Sequence, residues 1–247
     1  MQRYFVDEPP SEGGIFLITG DNARHIEKVM RMTAGEEIIV VFESIAHICE
    51  IEEVGTEILA KPTGRTVPSP EMPVQITIAC GLPKGDKLEL IAQKGTELGM
   101  YACIPYAAER SIVKWDEKKG RKNQERLQKI AQEAAEQSHR THIPSIKMPF
   151  SFKQLLAALP DYDVVFLADE EDAKAEKRTR FADQLKKVYD NESKSILCIF
   201  GPEGGISRKE AEALTAAGAQ IMSLGPRILR TETAPLYALS AISYEFE

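Results

Sequence analysis

Apolar and polar residues follow two different patterns along the chain, and the change falls near residue 70. Before it, short β-type apolar runs are separated by turns, the pattern of a small barrel. A short helix capped by Asp21 or Asn22 is expected to reach Met30. The prolines between Pro62 and Pro73 are typical of a linker. The predicted strands span residues 13–18, 37–42, 46–51 and 57–61.

After the linker, predicted strands alternate with predicted helices. This alternation predicts an α/β domain over residues 71–247, with a mostly parallel sheet and helices on both faces, preceded by a β-rich domain over residues 1–70. An acidic run at residues 169–172 follows one of the strands. The predicted strands span residues 74–80, 103–106, 164–168, 195–200 and 220–224. The predicted helices span residues 87–98, 123–138, 152–158 and 234–246, and one more begins at Ser207.

The composition is that of a folded protein without a membrane segment. At 247 residues the chain is long enough to bury a sizeable core and to form two domains. No apolar run reaches the ~18 residues of a membrane span, and the first residues lack the apolar centre of a secretory signal. The four cysteines and four histidines fit no C-x-x-C or zinc spacing. We therefore expect free thiols in a reducing cytoplasm, no metal site and no membrane contact.

The charge is distributed unevenly along the chain. The formal net charge is −7, which by itself does not indicate nucleic-acid binding. Residues 110–140, however, contain nine Lys or Arg against five Asp or Glu, with Trp115 among them. A basic segment on an acidic protein is able to track a phosphate backbone, and it is also compatible with an ordinary solvated helix face. Charge alone leaves both interpretations open.

One pattern occurs twice in the last fifty residues: a β-rich run that meets a Gly-Pro pair and then a helix. The first loop spans residues 201–207 and the second spans residues 225–234. Two such loops at the carboxyl ends of neighbouring parallel strands form the usual ligand crevice of an open α/β sheet. Neither loop matches a P-loop or a dinucleotide fingerprint, and Glu203 would repel a pyrophosphate. A carboxylate at this place suits a ligand with hydroxyl, amine or cationic groups.

Several residues of the two loops have both structural and chemical interpretations. Ser207 and Glu210 fit a helix capping box, and Thr233 is expected to cap the last helix. The three glycines of the first loop suit tight turns, but their number favours a close backbone approach to a ligand. Arg230 is suited to clamping an anion or a carbonyl group. Glu232 is either a chemical group or an ordinary carboxylate at a helix end.

These loops and several upstream segments together resemble a known family, and the likeness covers nearly the whole chain. The family is the bacterial small-subunit ribosomal RNA uridine N3-methyltransferases of the SPOUT superfamily. His25 and Arg31, before Gly35, resemble the family's PUA-like barrel. The other segments that carry the likeness are residues 84–86, 93–99, 109–111, 133–140, 201–205 and 224–234.

The resemblance implies a fold and an activity that the residue patterns alone do not show. The fold would be a SPOUT-type sheet with a trefoil knot, preceded by a PUA-like barrel that docks RNA. The cofactor would be S-adenosylmethionine (S-adenosyl-L-methionine). The substrate would be N3 of one uridine of 16S rRNA, within the assembled small ribosomal subunit in the cytoplasm. The enzyme would be a homodimer whose sites are completed at the subunit interface.

The resemblance also implies roles for individual residues. Arg230 would stabilise the charge that develops on uracil, and Glu232 would be the general base, with Glu203 as the alternative. The cofactor-binding set is Leu167, Gly201, Pro202, Glu203, Gly204, Leu224, Gly225, Ile228, Leu229, Arg230, Thr233 and Ala234. The RNA-binding set is His25, Lys28, Arg31, Arg110, Gln137 and Arg140. Two other functions fit the residues: a non-catalytic RNA-binding protein, and an enzyme that binds a nucleotide or sugar phosphate in the glycine crevice.

Overall fold

The computed structural model describes residues 1–169 and 180–247, so the part of the predicted acidic run after Asp169 lies outside the described residues. The chain forms two compact units. The first contains Met1–Glu71 and Ala135–His142, and the second contains Met72–Ala134 and Ile143–Glu247. Nothing in the sequence pattern predicts that residues 135–142 return to the first unit.

The first unit is built on a five-stranded sheet. Its strands are β1 (Arg3–Phe5), β2 (Phe16–Ile18), β3 (Glu37–Phe42), β4 (Ile45–Val54) and β5 (Ile58–Val67). Their order is β1-β3-β4-β5-β2, and every pair is antiparallel except β1 with β3. Inward-facing side chains of these strands pack with Ala23 and Ile26 in one apolar core.

The predicted linker is wrong in its first half, because β5 continues through Pro62 to Val67. Proline lacks an N–H and is tolerated in a sheet only where no partner strand needs that donor. Pro62 lies beyond residues 58–60, which are the part of β5 that pairs with β2. It also faces Cys49, next to an irregularity in the pairing of β4 with β5.

The helix after β2 begins earlier than predicted. It consists of α1 (Gly20–Arg24) and a π-helical turn (His25–Met30), and it ends at Arg31 in the left-handed conformation with φ 55°. Asp21 and Asn22 therefore lie inside the helix, and the prediction that one of them caps it is wrong. The side-chain amide of Asn22 instead donates a hydrogen bond of 3.2 Å to the carbonyl of Phe5.

The second unit is built on a seven-stranded sheet in which every strand pair recorded for the described residues is parallel. Its strands are β6 (Gln75–Gly81), β7 (Ala102–Ala107), β8 (Ser145–Ile146), β9 (Phe150–Ser151), β10 (Val164–Ala168), β11 (Ser195–Phe200) and β12 (Gln220–Met222). The order is β12-β10-β11-β6-β7-β8, and β9 also pairs with β7. Because all strands point the same way, the loops that follow β10, β11 and β12 emerge at one edge.

Helices cover both faces of this sheet, which confirms the predicted α/β class. They are α2 (Lys87–Glu97), α3 (Glu117–Gln137), α4 (Phe152–Ala158), α5 (Phe181–Asp190), α6 (Arg208–Ala216) and α7 (Thr233–Phe246). Ile196 and Cys198 of β11 share a core with α2, α3, α5 and α7. The alternate residues Leu197 and Ile199 share a second core with α4 and α6. This alternation is the reason that β11 is apolar from Ile196 to Phe200.

Two predicted helix termini of the second unit, at Ser207 and Gly99, are confirmed, and the predicted Thr233 cap is wrong. Ser207 and Glu210 form the predicted capping box, with side chain to backbone distances of 3.3 and 3.1 Å. Gly99 follows α2 with φ 83°, as expected for the glycine after a helix. Thr233 does not cap α7, because it is already the first helical residue and its N–H donates to the carbonyl of Arg230 at 2.9 Å.

A buried ion pair holds residues 135–142 to the first segment of the same unit. The guanidinium of Arg140 contacts both carboxylate oxygens of Glu71, with Nε at 3.3 and 3.1 Å. The same carboxylate accepts the backbone N–H groups of Thr141 (2.8 Å) and His142 (3.1 Å). Burial alone would raise the pKa of Glu71, but the contacts with Arg140 and the two backbone donors outweigh it and lower that pKa.

We expect Glu71→Gln to destabilise the first unit by about 3 kcal/mol at neutral pH, because it removes the carboxylate charge that pairs with the buried Arg140 guanidinium. Since the folded pKa of Glu71 is lowered, its contribution is complete above the unfolded value of about 4.3 and is lost as pH falls through the folded value. Denaturant unfolding of both proteins across this pH range measures the effect. Glu57→Gln, at an exposed position of the same unit, is the control. Equal stability of wild type and Glu71→Gln at neutral pH would contradict the account.

Candidate active site

A cavity of about 690 Å³ lies at the carboxyl ends of β10, β11 and β12 in the second unit. Its wall contains both glycine loops, the first residue of α2 and the beginning of α7. The sequence therefore located the cavity, since most of the residues predicted to bind the cofactor line it. They are Gly201, Pro202, Glu203, Gly204, Leu224, Gly225, Ile228, Leu229, Arg230 and Ala234.

Two residues of the predicted cofactor set are not part of the cavity wall, although Leu167 was expected to contribute a backbone group. Leu167 is fully buried in β10, between Ile199 and Ile221 of the neighbouring strands, and the next residue, Ala168, reaches the cavity wall. Thr233 is exposed as the first residue of α7. The side chain of Leu167 therefore belongs to the core, and the wall position at the end of β10 belongs to Ala168.

The first loop folds on itself in a tight turn. The N–H of Gly205 donates to the carbonyl of Pro202 at 2.8 Å, and Gly205 has φ 71°, a conformation that favours glycine. A Cβ on Gly201 would lie 2.8 Å from the backbone of Gly205, and a Cβ on Gly204 would lie 3.1 Å from the carbonyl oxygen of Arg110. The packing of the protein thus requires all three glycines, so their number is not in itself a sign of a ligand.

The second loop presents two arginines to the cavity. Arg227 and Arg230 are both exposed and both line it, with the exposed side chain of Ile228 between them. The carbonyl of Arg230 accepts the N–H groups of Thr233 (2.9 Å) and Ala234 (3.0 Å), so its backbone is fixed at the start of α7. Among the described residues, no carboxylate lies within ion-pair distance of the Arg230 guanidinium. That guanidinium is therefore available to a ligand.

Lys87 lies between Glu203 and Glu232, the two carboxylates predicted as candidates for the general base. Its Nζ lies 2.8 Å from Glu203 Oε1 and 3.6 Å from Glu232 Oε2. The backbone N–H of Lys84 donates to the same Glu203 oxygen at 3.0 Å. The sequence analysis missed Lys87. The strand order would have found it, because β6 lies beside β11 and the residues that follow the two strands meet at one edge.

The two carboxylates are in different electrostatic environments. Burial would raise the pKa of Glu203, but the hydrogen bonds from Lys87 and from the N–H of Lys84 outweigh it and lower that pKa. The hydrogen bond to Glu203 in turn raises the pKa of Lys87, to which Glu232 adds a smaller effect. Glu203 is therefore held ionised by donors that the protein itself supplies.

Glu232 has an unused acceptor. Its Oε2 is buried and has no hydrogen-bond partner among the described residues, since the 3.6 Å contact with Lys87 is an ion pair and is too long for a hydrogen bond. A buried polar atom without a partner is costly and rare. A ligand with an N–H or O–H group would satisfy it.

A further carboxylate that the sequence analysis did not select also faces the cavity. Asp169, the residue after β10, lines the wall, and its carboxylate lies 3.6 Å from the guanidinium of Arg208 in α6. Its side chain is largely buried. Asp169 thus adds a second acceptor suited to hydroxyl or amine groups, which agrees with the ligand chemistry inferred for the first loop.

The predicted RNA-binding residues are placed very differently from one another. Arg110 lines the cavity and donates to the carbonyl of Gly204 at 3.2 Å. Arg140 is buried in its pair with Glu71, which leaves no guanidinium at the surface for RNA.

The other four lie in the first unit. His25 Nδ1 is 3.0 Å from the hydroxyl of Tyr4, and Lys28 pairs with Glu27 at 2.7 Å. Arg31 and Gln137 are exposed. Within the described part of the chain, no cluster of three or more metal-ligating side chains is present, and no helix is long and apolar enough to cross a bilayer.

The second unit is a parallel α/β sheet with a ligand cavity between two glycine loops, and the chain also carries a separate β-rich unit. Residues 70–243 match the RNA methyltransferase domain family, and residues 18–61 match the RNA methyltransferase PUA domain. The chain belongs to this family of RNA methyltransferases.

Named relatives narrow the class further. The chain is 46% identical to the ribosomal RNA small subunit methyltransferase E of Bacillus subtilis, over all of this chain and 98% of the relative. A crystal structure of the Neisseria gonorrhoeae enzyme of the same name, bound to S-adenosylmethionine, matches with a TM-score of 0.82 and 28% identity over 98% of this chain and 96% of that one. A Legionella pneumophila structure with the same bound cofactor matches with a TM-score of 0.81 and 26% identity over the same shares.

Proposed function

We propose that the protein transfers a methyl group from S-adenosylmethionine to N3 of one uridine in 16S rRNA. The observation that carries this proposal is the cavity between the two glycine loops, which combines acceptors for a cofactor with the Arg230 guanidinium. Glu232 is not part of the cavity wall, but it pairs with the wall residue Lys87 at 3.6 Å, and its Oε2 has no hydrogen-bond partner among the described residues. The names of the relatives support the small-subunit RNA as the substrate. A substrate in the ribosome places the activity in the cytoplasm.

The residues present fit S-adenosylmethionine. Its amine and hydroxyl groups are donors, and the cavity offers the carboxylates of Glu203 and Asp169 together with carbonyl groups of both loops. At Gly225 a Cβ would have no neighbour within 4 Å, so the glycine leaves the backbone of the second loop uncovered. When bound, the cofactor supplies an electrophilic methyl group. The carboxylate of Glu203 in the cavity wall would repel a phosphate, which makes a nucleotide or sugar phosphate a poorer fit.

The protein's own groups have to remove one proton and stabilise one negative charge. Uracil N3 carries an imide proton, and its loss leaves charge on O2, N3 and O4. Glu232 is the better base of the two candidates, because its Oε2 accepts no hydrogen bond from the described residues, whereas Glu203 Oε1 already accepts two. We therefore assign the role of general base, which accepts the N3 proton, to Glu232, and the role of binding the cofactor to Glu203.

Arg230 is the group that stabilises the developing charge on the uracil oxygens. Its backbone is fixed at the start of α7, and its guanidinium lines the cavity without a carboxylate partner among the described residues. A preorganised donor of this kind acts where charge appears in the transition state. Because N3 is paired or stacked in a folded RNA, the target base has to be unpaired before it enters the cavity.

RNA recognition is divided between the two units in this proposal. Arg110 at the cavity contacts the nucleotides next to the target. His25, Lys28, Arg31 and Gln137 of the first unit contact other nucleotides of the RNA, in the assembled small subunit. Arg140 takes a structural role instead, because its charge is used in the pair with Glu71.

The proposal includes a trefoil-knotted catalytic domain and a homodimer with sites completed between subunits. Support for the dimer comes from α7, which contains a single charged residue, Glu245, over 14 residues. A helix that is apolar all round is normally buried. Tyr237 and Tyr244 of α7 are nevertheless 43% and 90% exposed, so a second copy of the chain is the fitting occupant of this face.

We expect Tyr237→Glu to convert the dimer to a monomer, because a carboxylate would be buried in an apolar interface. Light scattering of the purified protein measures the change. Leu17→Glu on β2, where the side chain is 44% exposed, is the matched control and should leave the mass unchanged. A monomeric wild type, or a dimeric Tyr237→Glu variant, would count against the role of α7.

Two measurements on purified protein test the proposed function. Calorimetric titration with S-adenosylmethionine should show one site per chain, and methyl transfer should occur to 16S rRNA or to small subunits. RNA binding without any response to S-adenosylmethionine would identify a non-catalytic RNA-binding protein. Binding of a sugar phosphate or nucleotide instead would assign the cavity to small-molecule chemistry.

A further inference from the structure

We propose that exposed lysines at the beginning of α3 hold the phosphates of the RNA strand that flanks the target base. This surface, the α3 lysine face, consists of Lys114, Lys118, Lys119 and Lys122. The inference rests on the proposed function for the identity of the RNA, and it adds a docking surface next to the cavity.

All four side chains are exposed, and among the described residues no carboxylate lies within ion-pair distance of their ammonium groups. Of the neighbouring acidic groups, Asp116 and Glu117 are engaged elsewhere, and Glu125 lies exposed three residues after Lys122. Asp116 accepts the backbone N–H of Lys119 at 2.7 Å, and Glu117 pairs with Arg121 at 3.4 Å. The α3 lysine face is therefore a concentration of unneutralised positive charge on a chain whose net charge is −7.

The positions of these lysines oppose the stability of the helix that carries them. Cations are unfavourable at a helix N-terminus, where the helix dipole is positive, and Lys118 and Lys119 lie in the first turn of α3. Lys118 and Lys122 are four residues apart on one face, a spacing at which like charges repel. Asp116 and Glu117 supply the carboxylates that favour this helix end, so the lysines in excess of them indicate an anionic partner.

The α3 lysine face is continuous with the cavity along the chain. Arg110 lines the cavity and bonds to the carbonyl of Gly204, and Lys114 follows four residues later, at most about 14 Å away in extended chain. Lys118 and Lys122 then continue one helical turn apart, about 6 Å along the axis. A strand with its target base in the cavity would thus have its neighbouring phosphates beside this face, which favours RNA over an acidic protein as partner.

The test compares two double variants with the same change in charge. Lys118→Ala/Lys122→Ala removes half of the α3 lysine face. Lys186→Ala/Lys187→Ala removes two exposed lysines of α5 and is the matched control. The affinity for the 16S RNA substrate is measured over a range of salt concentrations without cofactor, and methylation kinetics are measured with it.

We expect weaker RNA binding for the α3 variant and a log–log salt dependence reduced by about 1.4, the value for two lost contacts to single-stranded RNA. KM for RNA should rise while kcat at saturating RNA stays unchanged, and Lys118→Arg/Lys122→Arg should restore both affinity and slope. A slope equal to that of wild type, or equal losses in both alanine variants, would overturn the proposal. So would unchanged RNA affinity together with lost binding of an acidic protein.

This outcome is separable from failure of the proposed function. If the wild type methylates 16S rRNA and the α3 variant has the wild-type KM, only the α3 lysine face is refuted. If the wild type transfers no methyl group, the proposed function fails, and the salt slopes measured without cofactor still decide whether the lysines contact RNA.

Discussion

Arg230→Ala is expected to lower kcat for methyl transfer by about 10²–10³-fold, the loss typical of removing one donor to a developing oxyanion. The side chain is exposed and has no carboxylate partner among the described residues, so its removal should leave the thermal unfolding temperature unchanged. Binding of S-adenosylmethionine, measured by calorimetry, should weaken much less than kcat falls. The loss would then lie in the chemical step.

Arg227→Ala is the matched control for this effect. Arg227 lies three residues earlier in the same loop, is equally exposed and lines the same cavity. Unlike Arg230, it is not fixed to the first turn of α7 by backbone hydrogen bonds. Normal kcat in Arg230→Ala, or an equal loss in both variants, would remove Arg230 from the mechanism.

Glu232→Gln is expected to lower kcat by about 10²–10⁴-fold, because the amide keeps the shape of the side chain but cannot accept the N3 proton. Glu203→Gln should act differently. It removes the partner of Lys87 at 2.8 Å and weakens cofactor binding, so it should mainly raise the Kd for S-adenosylmethionine. Single-turnover rates at saturating cofactor separate the two effects.

The contrast between these two variants is the informative result. A larger loss of single-turnover rate in Glu203→Gln than in Glu232→Gln would reverse the assignment of the general base. A normal rate in both would mean that water or another group takes the proton. In either case the buried Oε2 of Glu232, which has no hydrogen-bond partner among the described residues, would need a different explanation.

Elements whose apolar residues form a continuous local pattern could be predicted from the sequence with their observed bounds. Examples are β3, β10, β11 and α4. Local sequence determines these elements, because a strand buried on both faces and a capped amphipathic helix each have a residue pattern that is recognisable over a few residues.

Other elements depend on distant pairing, and the sequence did not reveal them. β1, β8 and β9 are two or three residues long and exist because a neighbouring strand pairs with them. The start of α3 was missed because Gly120 lies in its second turn, where a Cβ would meet the ring of Pro149 at 3.4 Å. The continuation of β5 through Pro62 was missed because a proline is tolerated there only if β2 no longer pairs with that part of β5, and the sequence does not show where β2 ends.

The candidate site shows the same division. The two glycine loops could be found because each follows a clear strand, and they do form the cavity wall. Lys87 could not be found without the strand order, which brings it between Glu203 and Glu232. Arg140 could not be separated from the surface cations, because its burial depends on Glu71, which is 69 residues away along the chain.

The most direct test of the central claim is to identify the methylated nucleoside. The purified protein is incubated with S-adenosylmethionine carrying a labelled methyl group and with small ribosomal subunits from a strain that lacks the gene. The RNA is then digested and analysed by mass spectrometry. The account predicts label in N3-methyluridine at one position of 16S rRNA; no label, or label on another base or on 23S rRNA, would contradict it.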